Sequence, residues 1–143
     1  DEPILVEFPF VTKYVTIRNT GPNNIRIGFS KRGIFAPGEF LPLSLGGAAK
    51  TTKSATDHRN YFLIPSSSGA TKTNNPTNND GATITLDVRC KKIFFMADTP
   101  HNTPSIIHSS SFSLIAGLTM IEASQFPNLT GSINGTGSFE GIG

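Results

Sequence analysis

Cysteine, tryptophan and charge are scarce in this chain of 143 residues: one cysteine, no tryptophan and 15% charged residues. The lone Cys90 makes no intrachain disulfide, which excludes a small disulfide-stapled secreted scaffold and favours folding in a reducing compartment. No apolar run approaches the roughly 18 residues that span a bilayer, so no membrane insertion is expected. The formal net charge of +2 is too small for the electrostatic footprint of a nucleic-acid binder, and no direct nucleic-acid contact is expected. The polar share is carried by Ser, Thr, Asn and Gly, a surface common on β proteins that live in assemblies or outside cells.

Catalytic equipment is missing too. His58, His101 and His108 stand alone, with no His-x-His and no His-Glu-x-x-His among them, so no metal is expected. The serines of "HSSSFS" lack a Gly-x-Ser-x-Gly setting, and the five Asp and five Glu are scattered without a pair suited to acid and base work. The glycines of "GSINGTGSFEG" follow no strand and are closed by no Lys-Ser/Thr, unlike a phosphate cradle. The residues therefore point away from an enzyme and call for no cofactor. Two sequons, at Asn128 and Asn134, are acceptors for glycosylation if the chain enters a secretory lumen.

What is present is strand pattern. In "YVTIRNTGPNNIRIGFS", Val15, Ile17, Ile25, Ile27 and Phe29 keep one parity, and Thr16, Arg18, Arg26 and Ser30 take the other, the period of two of half-buried strands. The turn residues Asn19 to Asn24 between the arms predict an antiparallel hairpin. Lys13 falls on the side of Val15, which predicts a bulge. Ala36-Pro37-Gly38 reads as a turn, Phe40, Leu41, Leu43 and Leu45 as a short edge-like strand, and Tyr61 to Ile64 as a buried strand. Ala82, Ile84, Leu86, Val88 and Cys90 alternate without error against polar neighbours. Ile93 to Met96 and the apolar segment from Phe112 to Ile121 follow, with Gly117 suggesting a second bulge. About eight short strands and long polar loops (48–59, 66–81, 98–111) predict a single all-β domain over 1–143, a jelly-roll β-sandwich, with 1–7 and 127–143 as extended arms. The immunoglobulin-like sandwich is the rival, and it finds no Trp and no Cys pair here.

Taken together, "FPFVTKYVTIRNTGPNNIRIGFSKRGI", "NYFLIP", "LDVRCKKIFF", "SFSLIAGLT" and "GSFEGIG" resemble the penton, or vertex capsomer, proteins of large eukaryotic DNA viruses. The resemblance implies a structural virion protein: a single jelly roll assembling as a homopentamer at the fivefold vertices of an icosahedral capsid, beside neighbouring major and minor capsid proteins, in the host cytoplasm. It further implies that outward-facing basic residues, Arg18, Arg26, Lys31, Arg32, Arg89, Lys91 and Lys92, meet neighbouring subunits. On that placement, Arg26→Glu should spare the fold and impair assembly. The alternative is a carbohydrate- or receptor-binding β-sandwich of the fibre-head or lectin type, weakened by the absence of Trp for sugar stacking.

Overall fold

The computed structural model describes residues 3–39, 41, 60–66, 82–98 and 109–126. Among these the chain is all-β, with two antiparallel sheets and no α-helix. Strands β1 (Ile4–Glu7), β3 (Ile25–Gly28), β4 (Tyr61–Ile64) and β6 (Lys92–Ala97) form one sheet in the order β1-β6-β3-β4. Strands β2 (Phe10–Asn19), β5 (Thr83–Leu86) and β7 (Phe112–Glu122) form the other in the order β5-β2-β7. A single 3-10 turn, Ala123–Gln125, follows β7.

On β2 and β5 the alternation read from the sequence is followed by burial, whereas β3 is buried on both faces. Val15 and Ile17 of one sheet share a core with Ile25, Ile27, Ile64, Ile93 and Phe95 of the other, closed at one end by Phe8 and Cys90. The rings of Phe95 and Phe112 stack between the sheets at 4.2 Å and 18°. Each such aliphatic or aromatic side chain contributes about 1.5–3 kcal/mol when fully buried.

The expected β2–β3 hairpin does not form. β2 and β3 belong to different sheets, and residues 20–24 carry the chain across the core. Period-two alternation identifies the buried face; it does not identify the neighbour that fills the ladder. At this crossing Asn19 is fully buried. Its Nδ2 donates to the carbonyls of Asn23 at 2.8 Å and Pro65 at 3.0 Å, with Ile64 O at 3.3 Å, and its Oδ1 accepts from Gly21 N at 3.0 Å. Ser110 Oγ lies on the same oxygen at 3.2 Å.

A second crossing occurs at the opposite end of the sheets. β1 pairs antiparallel with β6 and β2 with β5, so β1–β2 and β5–β6 form one two-stranded ribbon that changes sheets at a corner. Between the pairs Glu7–Lys92 and Val15–Leu86, residues 8–14 form one arm and 87–91 the shorter one. Thr12 holds the corner: its hydroxyl donates to Val88 O at 2.7 Å and accepts from Cys90 N at 3.0 Å. Phe8 N donates to Lys91 O at 2.8 Å beside it. The strand expected through Cys90 therefore ends at Leu86, although its parity persists to the buried Cys90.

Lys13 is the extra residue of a bulge, since Thr12 pairs with Leu118 and Tyr14 with Gly117. The Tyr14 ring lies over Gly117, where a Cβ would come within 2.3 Å of Cε1. Two further expectations change. Tyr61–Ile64 is a strand, but among the described residues an edge one, with Phe62 and Leu63 exposed. Ile4–Glu7, expected within an N-terminal arm, is paired as β1. The expected strand from Phe40 to Leu45 (Leu41 apart), the loops at 48–59, 67–81 and 99–108, and the arm at 127–143 lie outside the described residues.

Asn19→Ala removes both donors and the acceptor from a sealed crossing. The expected loss is about 2–4 kcal/mol, read as a lower urea midpoint with an unchanged slope; a midpoint equal to wild type would show that water replaces the amide there.

Candidate functional site

β3 turns Ile25 and Ile27 inward, so Arg26 and Gly28 face away from the shared core. That outer face is covered. After Ser30 the chain folds back, and Ile34, Phe35 and Leu41 pack with Phe94 into a second apolar cluster flanked by Tyr61 and Met96. Gly28 permits the approach, because a Cβ there would meet Ile34 Cβ at 3.2 Å.

Local chemistry explains the fold-back. Gly33 N donates to Ser30 Oγ at 3.0 Å, and Ala36-Pro37-Gly38-Glu39 closes a turn through Glu39 N to Ala36 O at 3.1 Å. Pro37 presets the second position, and Gly38 takes the third with φ 84°, a conformation costly for residues with a Cβ. The turn delivers the Glu39 carboxylate inward, where Oε2 accepts from Ala36 N and from Arg26 Nη1, each at 2.6 Å.

Asp98 completes the site. It follows β6, donates its backbone N–H to Asn24 O at 2.8 Å, and accepts Arg26 Nε and Nη2 on Oδ1, both at 2.6 Å. The Arg26 guanidinium carbon also stands 4.9 Å from the Tyr61 ring centroid, a cation–π contact. Arg26 is 2% exposed, Glu39 9% and Asp98 27%. Burial works against the charged guanidinium; the hydrogen bonds and charges of Glu39, then of Asp98, outweigh it and hold its pKa above the ordinary value.

This corrects the expectation for Arg26. Its strand parity is as read, but the outer face is buried by residues of the same chain, so Arg26 is withdrawn from the candidate interface. Its chemistry is structural: a cation neutralised by two carboxylates joins β3, the fold-back and the end of β6.

The other basic residues divide between two places. Arg18 is exposed on β2, opposite Thr83 and Ser113. Lys31 and Arg32 leave the first sheet after Gly28, at the end where β6 begins with Lys92, and the 87–91 corner brings Arg89 and Lys91 to that same end. Arg89 is exposed, and Lys91 Nζ donates to Phe126 O at 3.3 Å. Asn128 and Asn134 lie outside the described residues. Among the described residues no three His, Cys, Asp or Glu side chains are grouped to hold a metal.

The basic set misses the apolar edges. On β7 Ile115, Leu118, Met120 and Ile121 are exposed, Met120 at 97%. Ile4 and Leu5 are exposed on β1, as are Phe62 and Leu63 on β4. All three strands are sheet edges among the described residues. The sequence carries a signal for this: adjacent apolar pairs, Leu63 beside Phe62 and Ile121 beside Met120, break the alternation of a strand with one wet face.

No family model, curated protein or solved structure matches the chain.

Two predictions follow from these sites. Arg26→Met strands the buried Glu39 carboxylate and should cost about 3–5 kcal/mol; Arg26→Glu adds like charge and should abolish cooperative folding, while Glu39→Gln in the Arg26→Met background recovers stability. A urea midpoint of Arg26→Glu equal to that of wild type would refute the triad. At Cys90, burial pushes the thiol pKa up against a smaller opposing pull from the Thr12 hydroxyl, 3.4 Å from Sγ. The native fold keeps the proton that the unfolded chain releases, so this group's contribution is full below the unfolded thiol's pKa and falls as pH rises above it. Cys90 should resist a thiol reagent at neutral pH and react at the rate of global unfolding; rapid labelling of native protein would contradict this.

Proposed function

We propose that the chain is a single jelly-roll capsid subunit that assembles as a pentamer at fivefold vertices, acting by self-association rather than catalysis. The observation that carries the reading is nested pairing: β3 with β4, β2 with β5 and β1 with β6, all antiparallel. A ribbon rolled so that successive pairs alternate between sheets is the plan of a jelly roll, an architecture of viral capsid and lectin domains. An eight-strand roll takes one further pair between β3 and β4, a stretch that lies mostly outside the described residues.

The choice of capsid over lectin rests on the surface. Apolar side chains exposed along three edges suit packing against protein. Five copies about an axis use a heterologous contact that closes a ring. The neighbouring major and minor capsid proteins, the virion location and assembly in the host cytoplasm belong to the same reading, which requires no cofactor, bilayer or direct nucleic-acid contact.

Native mass spectrometry over a concentration range at near-neutral pH tests it. A pentamer is the expected species; a monomer or trimer that binds glycans on an array would favour the carbohydrate-binding alternative.

A further inference from the structure

We draw no further inference here: the strongest candidate, the exposed apolar strip of Ile115, Leu118, Met120 and Ile121 along β7, an edge strand among the described residues, carries none because nothing in the structure shows what covers it.

Discussion

A strand that changes sheets loses its ladder, and the backbone groups it leaves behind must find partners in an apolar interior. That constraint governs this fold, because its central ribbon changes sheets at one end while β2 leaves for β3 at the other. An unsatisfied buried peptide group costs about 1–3 kcal/mol, comparable with what a large buried side chain contributes. Each crossing is accordingly closed by one short polar side chain. The Thr12 hydroxyl has one proton for Val88 O and a lone pair for Cys90 N–H. The Asn19 amide reaches residues on both sides of its crossing. The hydrophobic core then has two sheets to join, because the chain can enter both without stranded backbone.

The outer face of the first sheet follows another logic. Ile34, Phe35 and Leu41 could cover it with apolar contacts alone, but such packing tolerates sliding. Arg26 removes that freedom by requiring two carboxylates in fixed directions, one delivered by the Ala36–Glu39 turn and one by the residue after β6. Desolvating the guanidinium is costly, so a buried ion group of this kind sets position more than it adds net stability. Glu39 also accepts from Ala36 N, so the turn that presents the carboxylate is held by it.

Much of this was legible in the sequence, within a definite limit. Alternation located the core faces of β2, β3 and β5, since a half-buried strand of either sheet obeys it, and Lys13 revealed a bulge because a cation breaks parity. Partnership was not legible: Asn19 to Asn24 have the composition of a hairpin turn, and the same residues suit a crossing between sheets. Arg26 was assigned the right face and the wrong surroundings, because its cover comes from an aperiodic segment. The Tyr61–Ile64 run was read as buried from its apolar content, whereas its edge position leaves two of those side chains exposed. The apolar edges were missed for a related reason: basic residues draw attention as interface candidates, yet one of the seven is interior and five gather at a single end of the molecule.

The size of the exposed strips bears on how an assembly of this kind could work. Among the described residues the exposed apolar side chains number four on β7, two on β1 and two on β4, whereas stable pairs typically bury roughly 1,200–2,000 Å². Ring closure alters the balance without enlarging the contact. The last interface of a ring forms within one assembly, at an effective concentration of order millimolar, so a weak contact repeated around an axis yields a stable ring where a single copy of it yields only a fleeting pair.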